Sequence, residues 1–480
     1  MNTTPMIVVL AVYLFALALI AVRSAFKVKG IPDFFVARKG ARALAVAGSL
    51  VATILGGSAV IGAIDAGPTL GGAAAWFMLT GALGLLALLP LIRRARRFGK
   101  FTLPDMIENL YGTGPRVVAG VVIPVAWTGI VAAQMIASAK LLQNFTSLGY
   151  TESACIAAGV LILYTMAGGQ VSILRTDFFQ AVLILAGLLT IGVFVAVSLL
   201  GVDTGGYLVL RSHGAIQTPG FPFNENFSPL DLFILIVTYG TTFTVGPDMF
   251  SRIFCARDDR SAKAAVLVAV GVLVPVSFLI GYLAAFGTTL GNVQGTRIME
   301  IASAVVPSAL LPLIAVSLMS VVLSSADTTL LSSSVIVCEL ISRFPPKKLE
   351  GLTPNFRTSC GVDWREMSLS KARLVIFANG MLALLLALHF TDIISTLLLA
   401  LAVYAGAFTM PVLLGLLGMR VRPVFVNAAI VAGGAISLAG KLSQSFWGGD
   451  AGDILTIAAF VVNAVILYAG RMPRADKSLR

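Results

Sequence analysis

Long apolar runs recur along the whole chain, separated by short polar segments that are rich in Lys and Arg. Each run approaches the roughly twenty residues that an α-helix needs to cross a bilayer. The pattern predicts about thirteen membrane helices, with centres near Phe15, Leu55, Ala82, Val131, Leu161, Leu188, Val237, Val274, Leu323, Leu382, Leu401, Ala435 and Ala464. No long polar stretch interrupts the series, so we expect one all-α membrane domain.

Composition agrees with this prediction, and the distribution of charge predicts how the chain is oriented in the membrane. Of the 480 residues, 58% are hydrophobic and 12% are charged, which is typical of a polytopic membrane protein and argues against a soluble enzyme. With the N-terminus outside, the inner loops collect all but four of the 34 Lys and Arg residues, as the positive-inside rule requires. One of these inner groups is residues 252–263. The exceptions are Lys140, Arg211, Arg297 and Lys441.

The net charge of +12 has the same origin. Basic residues spread over several inner loops can meet an anionic membrane leaflet, whereas a nucleic-acid-binding surface gathers them in one patch. We therefore expect contacts with membrane lipids and no nucleic-acid partner. The first apolar run, residues 6–22, lacks the basic flank and cleavage site of a signal peptide, so we expect it to be retained as a helix.

Two of the predicted helices contain breaks. The second helix, SLVATILGGSAVIGAIDAGPTLGG, has Gly56-Gly57 near mid-membrane, and the seventh, VTYGTTFTVGPDMF, has Gly240 and then Gly246-Pro247. The two helices lie five apart and so run in opposite directions. Paired interruptions of this kind are typical of the binding site of an inverted-repeat transporter. For either break alone, glycine that lets helices pack closely is the alternative.

The ninth helix is unusually polar over SVVLSSADTTLLSSS, residues 320–334. One face carries Ser324, Asp327 and Thr328, with Ser325 beside them and Val321 one turn earlier. Carbonyls freed by a broken helix, together with hydroxyls, are suitable ligands for a hard cation. Hydroxyls that bond back to their own helix are the alternative. An aspartate at a helix centre costs about 2.5–3.5 kcal/mol, however, so it should face a cavity, an ion or a partner.

A family resemblance rests on the segment YTMAGGQVSILRTDFFQ, where Gly168-Gly169 precedes Thr176-Asp177 and Gln180. By itself Asp177 could be a helix N-cap acid. The whole segment resembles the sodium:solute symporter family, which includes sodium-coupled sugar, proline, sialic acid and monocarboxylate carriers. Three further segments extend the resemblance along nearly the whole chain: IPDFFVARKG (31–40), TLPDMIENLYG (102–112) and LSSADTTLL (323–331).

The resemblance implies a leucine-transporter-type fold with two inverted repeats of five helices and a cytoplasmic C-terminus. The expected divisions are a leading helix and loop (1–42), the first repeat (43–202), an outer loop (203–229), the second repeat (230–419) and two trailing helices with a short tail (420–480). Within this fold the family binds a sodium ion at positions that correspond here to Ala52, Leu55, Val321, Ser324 and Ser325. The first three would contribute main-chain carbonyls and the serines their hydroxyls.

Some members of the family have a second sodium site. The matching positions are Asp177, Ser324, Asp327 and Thr328, but a hydroxyl would be expected where this chain has Asp327. An extra carboxylate there could bind sodium more tightly or hold a proton. The sequence therefore leaves a second sodium, a proton and a local structural bond open for Asp327.

The resemblance also implies a solute site near the midplane. Its candidates are Ile54, Gly57, Ser58, Trp127, Gln134, Tyr239, Thr241, Thr242, Tyr404 and Phe408, and for each aromatic residue ordinary packing is the alternative. The family's sugar carriers have an asparagine at Ile54 and its proline carriers an aspartate, a departure that argues against both solutes. Lys140 could attract a carboxylate, although we favour a side chain that reaches the membrane surface.

These features predict a symporter of the plasma membrane that uses the sodium ion to drive uptake of a small polar solute, with a carboxylate or amino-acid-like solute favoured over a sugar. No catalytic constellation is present in the sequence, so we do not expect an enzyme. Two alternatives remain: a proton-coupled symporter that uses Asp177 and Asp327, and a membrane sensor that works with a separate signalling partner. The sequence does not determine the oligomeric state.

Overall fold

The computed structural model describes residues 4–25, 34, 40–99, 102–201, 220–290, 296–343, 368–447 and 451–472. Within these residues the secondary structure is helical, with isolated bridges but no β-strand. The helices of the first half are α1 (Thr4–Ala25), α2 (Ala43–Ile54), α3 (Gly57–Asp65), α4 (Gly67–Leu70), α5 (Ala75–Leu88), α6 (Ile92–Phe98), α7 (Leu103–Tyr111), α8 (Thr113–Phe145) and α9 (Tyr150–Leu199). Those of the second half are α10 (Pro229–Leu235), α11 (Thr241–Val245), α12 (Pro247–Cys255), α13 (Asp259–Gly287), α14 (Arg297–Val305), α15 (Leu311–Arg343), α16 (Leu369–His389), α17 (Ile393–Leu416), α18 (Pro423–Trp447) and α19 (Ala451–Ala469).

The described residues contain 10 helical segments that are long and apolar enough to cross a membrane, and the bent pair α2–α3 is one further candidate. Two shorter apolar helices lie at the first and last predicted positions. Every predicted helix centre thus falls at or beside a helix. The count of about thirteen and the outside N-terminus stay predictions. Most of the predicted outer loop, 203–229, and of the motif at 31–40 lies outside the described residues.

Helix α9 comprises two spans that meet at the glycine pair of the family motif. Gly169 has φ +59° and ψ −168°, a left-handed conformation that favours glycine because it lacks a Cβ. The chain turns there between the spans Tyr150–Gln170 and Ser172–Leu199. The turn places Asp177 in the second turn of the later span.

The two predicted breaks are present in the structure. Gly56 is extended (φ −76°, ψ 158°) between α2 and α3, which bend by 41°. Gly246 is also extended (φ −69°, ψ 142°) between α11 and α12, after a π-helical turn over Ile236–Gly240. The Ala41 N–H donates to the Cys255 carbonyl at 3.0 Å, which joins the start of α2 to the end of α12. The two broken helices therefore run in opposite directions.

Helix α15 is enclosed by the rest of the protein. Most of its residues are buried, and α1, α2, α3, α8, α9 and α16 all pack against it. A helix that is enclosed on every side must pair its polar side chains with other protein groups or with ligands. Its serines and aspartate therefore lie at helix interfaces and not on a solvated face.

The motif at 102–112 forms α7 and fixes one end of α15. The Thr102 hydroxyl accepts a hydrogen bond from the Asp105 N–H at 3.2 Å and so caps α7. The same hydroxyl donates to Glu339 of α15, and Arg116 of α8 pairs with both Glu108 and Glu339. These buried contacts join α7, α8 and α15 at one end of the helix assembly.

Candidate functional site

The break between α2 and α3 leaves main-chain carbonyls in the middle of the bent span without helical partners. The last carbonyls of any helix lack N–H donors within that helix, and in a membrane interior they must be satisfied by other groups. In this structure the carbonyls of Ala52 and Thr53 point to α15 and accept hydrogen bonds from its serines. The broken helix thus presents free oxygens to the most polar part of α15.

Ser324 and Ser325 are the serines that contact the broken helix. The Ser324 hydroxyl lies 2.9 Å from the Ala52 carbonyl oxygen and 3.3 Å from that of Val321. The Ser325 hydroxyl donates to the Thr53 carbonyl at 2.7 Å and lies 3.4 Å from the Ala52 oxygen. Oxygens of four of the five predicted sodium ligands therefore form one cluster.

Leu55, the fifth predicted ligand, is buried at the same break as the residue that ends α2. A Cβ added to the adjacent Gly56 would lie 2.6 Å from the Ser325 hydroxyl oxygen, so the backbone and the serine are in close contact. The oxygens in this cluster are neutral dipoles, which replace part of a hydration shell without adding charge. The donor set fits a monovalent hard cation such as sodium.

A second polar cluster surrounds Arg252, which is completely buried. Its guanidinium donates to the hydroxyls of Ser49 at 2.9 Å and Thr328 at 2.6 Å, and to that of Thr53. It also forms an ion pair with Asp177, whose Oδ2 lies 3.5 Å away. Asp177 and Thr328 are two of the predicted second-site residues, and the guanidinium bridges them.

Arg252 corrects one element of the charge interpretation. Sequence reasoning counted it with the inner loop group at 252–263, but the structure places it in α12 as a buried partner of Asp177. The reason is electrostatic, because a buried carboxylate needs a nearby cation and Arg252 supplies one. The spacing of four residues between Asp248 and Arg252 in a helix was the available signal.

Asp327 is buried, and neither of its carboxylate oxygens accepts a hydrogen bond of normal geometry among the described residues, although the N–H and hydroxyl of Thr328 lie close to the carboxyl. Asp177 Oδ1 likewise accepts no hydrogen bond among these residues. The two acids and Arg252 carry one unmatched negative charge in their ionised forms. Buried charges are strongly unfavourable unless they are paired, so this cluster fits one additional monovalent cation. The three interpretations of Asp327, a second sodium, a proton and a local structural bond, stay predictions.

A cavity of about 50 Å³ lies beside the cluster of predicted sodium ligands at Ala52, Val321, Ser324 and Ser325, which is called the sodium cluster below. It is lined by residues of both broken helices and of α8, α15 and α17, and Ser325 belongs both to this lining and to the sodium cluster. Six of the ten predicted solute residues line it: Ile54, Ser58, Trp127, Gln134, Tyr239 and Thr242. The Gln134 side chain donates to the Ser58 hydroxyl at 2.9 Å and accepts from the Ser58 N–H at 3.1 Å, which ties α8 to the start of α3.

The other four predicted solute residues lie outside the cavity lining. Gly57 packs against Val322. The Thr241 hydroxyl donates to the Val237 carbonyl at 2.5 Å and lies 3.1 Å from the Thr409 hydroxyl. Tyr404 donates to the Val245 carbonyl at 2.6 Å and so satisfies an oxygen freed by the second break. The Tyr404 ring also packs edge-on against Trp127 and stacks on Phe408, with centroids 4.5 and 5.2 Å apart.

Sequence reasoning missed the acid of this cavity, Asp248. It lines the cavity as the second residue of α12, and its Oδ2 accepts a hydrogen bond from the Trp127 indole at 2.8 Å. The signal in the sequence was an acid inside an apolar run, directly after Gly246-Pro247. Lys140 is not part of the cavity lining. It is half-buried in α8 and close enough to Asp65 to interact with its carboxylate.

Comparison with known protein families shows which family the chain belongs to. The model of the sodium:solute symporter family matches residues 34–423, most of the chain. The chain belongs to the sodium:solute symporter family. The predicted family is confirmed, and with its apolar helices the chain is a multi-pass membrane protein.

The curated relatives of this family member are transporters. A sodium/proline symporter of Haemophilus influenzae is 24% identical over 286 residues, 56% of this chain and 55% of that protein. The high-affinity proline transporter PutP of Bacillus subtilis is 30% identical over 93 residues, 19% of this chain and 20% of that protein. The aligned part of the chain thus spans about half the length of the first relative and a fifth of the second.

Solved structures show the same fold over almost the whole chain. A Na⁺-coupled sialic acid symporter in a substrate-bound, outward-open state aligns with a TM-score of 0.69 and 17% identity, over 98% of this chain and 99% of that one. A nucleobase-cation-symport-1 family transporter in a closed conformation aligns with a TM-score of 0.52 and 14% identity, over 91% and 94%. At these identities the likeness shows the fold alone, which is the leucine-transporter-type fold. These structural neighbours are transporters and not enzymes.

Proposed function

We propose that this protein is a secondary active transporter of the plasma membrane that couples inward sodium flow to uptake of a small polar organic solute. The observation that carries the proposal is the contact of Ser324 and Ser325 with the free carbonyls of Ala52 and Thr53. Family membership and a relative named as a sodium/proline symporter support sodium as the coupling ion. They favour it over the proton-coupled and sensor alternatives.

In this proposal the coupling ion lies between the broken helix α2–α3 and α15. The carbonyls of Ala52, Leu55 and Val321 and the hydroxyls of Ser324 and Ser325 hold it. With the ion present the hydroxyls can turn their lone pairs to it instead of donating to the carbonyls. Ion binding then links the two helices, and ion release loosens the contact between them. A ligand that binds one conformation better shifts the population to that conformation.

Coupling between ion and solute follows from shared residues. Ser325 lines the solute cavity as well as the ion cluster, and the neighbouring Ile54 and Ser58 lie on the two sides of the break at Gly56. An ion that fixes this break also fixes the cavity wall, so each ligand strengthens the binding of the other. Such reciprocity is a thermodynamic requirement for two linked sites.

A second monovalent cation would be held by Asp177, Ser324, Asp327 and Thr328. The unbonded oxygens of the two aspartates support this assignment. Arg252 already bonds Thr328 and Asp177, so its guanidinium neutralises one of the two acids and Asp327 carries the charge that remains. We further propose two five-helix repeats at 43–202 and 230–419, flanked by the leading helix and two trailing helices, with the N-terminus outside.

Uptake into proteoliposomes tests the proposal. Purified protein is reconstituted and supplied with a panel of radiolabelled amino acids, carboxylates and sugars under an inward sodium gradient or an equal potassium gradient. We expect concentrative uptake of a panel member in sodium, abolished when sodium is replaced by potassium. Uptake that is driven by a pH gradient without sodium would contradict the proposal.

A further inference from the structure

Asp248 is a buried carboxylate in the wall of the solute cavity. Its side chain follows the break at Gly246, and the residue is 6% exposed. Oδ2 accepts the Trp127 indole N–H at 2.8 Å, whereas Oδ1 accepts no hydrogen bond of normal geometry among the described residues, although the Ser332 hydroxyl lies close to the carboxyl. An acid in the first turn of a helix is stabilised by the helix dipole. That effect explains the position of the acid but leaves Oδ1 unsatisfied.

Arg252, one turn later in α12, lies close enough for its charge to act on this carboxylate but forms no hydrogen bond with it. Its guanidinium bonds side chains of Ser49, Thr53, Thr328 and Asp177, and towards Asp248 it bonds the main-chain carbonyl at 3.0 Å. No cavity-lining residue that the structure describes is Lys, Arg or His. The cavity therefore holds a negative charge without a bonded cation, and a buried charge of this kind favours a cationic ligand.

The aromatic walls of the cavity also favour a cationic ligand. The rings of Trp127, Tyr239 and Phe243 line it together with Asp248. Aromatic faces attract ammonium groups, more strongly where water is excluded. A carboxylate beside several aromatic rings is a combination that binds protonated or quaternary amines. A solute with a carboxylate and no amine would instead place its charge against Asp248.

We propose that the solute of this transporter carries a cationic nitrogen, and that Asp248 binds this nitrogen in the cavity beside the sodium cluster. The proposal rests on the proposed symport function and names its solute class. It selects amines, amino acids or betaines over simple monocarboxylates and sugars. Asp248 is then a specificity-determining residue in direct contact with the solute.

Isosteric pairs of compounds test the charge requirement in the unmodified protein. The pairs are L-proline with cyclopentanecarboxylate, glycine betaine with 3,3-dimethylbutyrate, and choline with 3,3-dimethylbutanol; in each, the second compound replaces nitrogen by carbon. The thermal unfolding midpoint of the purified protein is measured in sodium buffer with each compound. We expect stabilisation by at least one nitrogen compound and none by its carbon partner. Equal stabilisation by a carbon partner, or no stabilisation by any nitrogen compound, overturns the proposal.

A variant locates the effect at Asp248. In Asp248→Asn the shape is kept and the charge is removed, so we expect the affinity for the stabilising nitrogen compound to fall by at least about tenfold, as expected for loss of a charge-assisted hydrogen bond. Asp65→Asn is the matched control, because Asp65 is a largely buried acid outside the cavity whose Oδ1 accepts the Arg297 N–H at 2.7 Å. Unchanged affinity in Asp248→Asn overturns the assignment. If that variant does not fold, the isosteric pairs still decide the charge requirement.

Stabilisation by sodium alone separates this inference from the proposed function. Sodium chloride and potassium chloride are compared in the same assay without any organic compound. A sodium-specific shift together with failure of the nitrogen compounds overturns the inference and leaves the proposed function in place. Absence of a sodium-specific shift contradicts both.

Discussion

The Ser324 hydroxyl of α15 donates a hydrogen bond to the main-chain carbonyl of Ala52 in α2, across 2.9 Å. The contact joins a regular helix to a helix that ends at its own break, where the Ala52 oxygen is free to accept it. A serine at this depth usually bonds back to its own helix. Ser324 bonds to the Val321 carbonyl of its own helix and also to the Ala52 carbonyl of α2, an arrangement that fits its proposed role as a sodium ligand.

Replacement of Arg252 by glutamine should strongly destabilise the protein. The change leaves Asp177 buried without its cation, and breaking one side of a buried ion pair costs about 3–5 kcal/mol. We expect a clear fall of the thermal unfolding midpoint in detergent. The control is Arg257→Gln, which removes a pair with Asp258 in which the arginine side chain is 67% exposed. Exposed ion pairs contribute about 1 kcal/mol or less to the free energy of unfolding. Equal destabilisation by the two variants would count against a stabilising role for the buried pair of Arg252 and Asp177.

Replacement of Gly56 by alanine should weaken sodium binding. The new Cβ would lie 2.6 Å from the Ser325 hydroxyl oxygen, so the serine or the backbone must move. We expect about a tenfold loss of sodium affinity, equivalent to roughly 1.4 kcal/mol. Sodium-dependent stabilisation of the purified protein measures it. In the control Gly159→Ala the added methyl meets nothing within 4 Å, and a similar loss there would show that the effect is not local.

Replacement of Asp327 by asparagine should have opposite effects with and without sodium. Without sodium it removes an unpaired buried charge, so we expect stability to rise by about 1–3 kcal/mol, the usual cost of one unsatisfied buried group. With sodium it removes the demand for a second cation, so the sodium dependence of stabilisation should become less steep. A fall in stability without sodium would indicate that Asp327 has a structural partner.

Replacement of Tyr404 by phenylalanine tests the second break. The hydroxyl donates to the Val245 carbonyl at 2.6 Å, and its loss leaves a buried carbonyl unsatisfied. We expect a loss of about 1–3 kcal/mol of stability, read as a lower unfolding midpoint. Tyr468→Phe is the control because that side chain is exposed. An unchanged midpoint in Tyr404→Phe would mean that another group replaces the hydroxyl.

The sequence was sufficient to predict an all-helical leucine-transporter-type fold and to name residues that the structure brings together between α2 and α15. Glycine and proline interrupt helices by local rules, so Gly56 and Gly246 marked the breaks without any knowledge of tertiary contacts. Ser324 and Ser325 were identified because hydroxyls beside a central aspartate are unusual in an apolar helix. The family resemblance supplied the partner carbonyls, which composition and spacing do not reveal.

The remaining features depend on contacts between distant segments. Arg252 lies 75 residues from Asp177 and 76 from Thr328, and its spacing from Asp248 is the one local sign that separates it from the loop cations that follow it. Asp248 stands out in the sequence only as an acid that follows Gly246-Pro247, and it becomes a cavity residue only when the fold brings it to Trp127 of α8. Tyr404 has a second role that the sequence does not reveal, and its contact with a solute stays a prediction. The family resemblance implied a solute contact for this residue, and the structure adds a hydrogen bond from its hydroxyl to the carbonyl of Val245.

The most direct test of the account is equilibrium binding of radiolabelled sodium to the purified protein and to three serine variants. The account predicts saturable binding that potassium does not displace. It also predicts a loss of affinity of about tenfold or more, roughly 1.4 kcal/mol or above, in Ser324→Ala and Ser325→Ala. Ser342→Ala should bind as the unmodified protein does, because the Ser342 hydroxyl bonds to the Glu339 carbonyl of its own helix at 3.0 Å. Sodium binding that is absent, or unchanged in both Ser324→Ala and Ser325→Ala, would contradict the central claim.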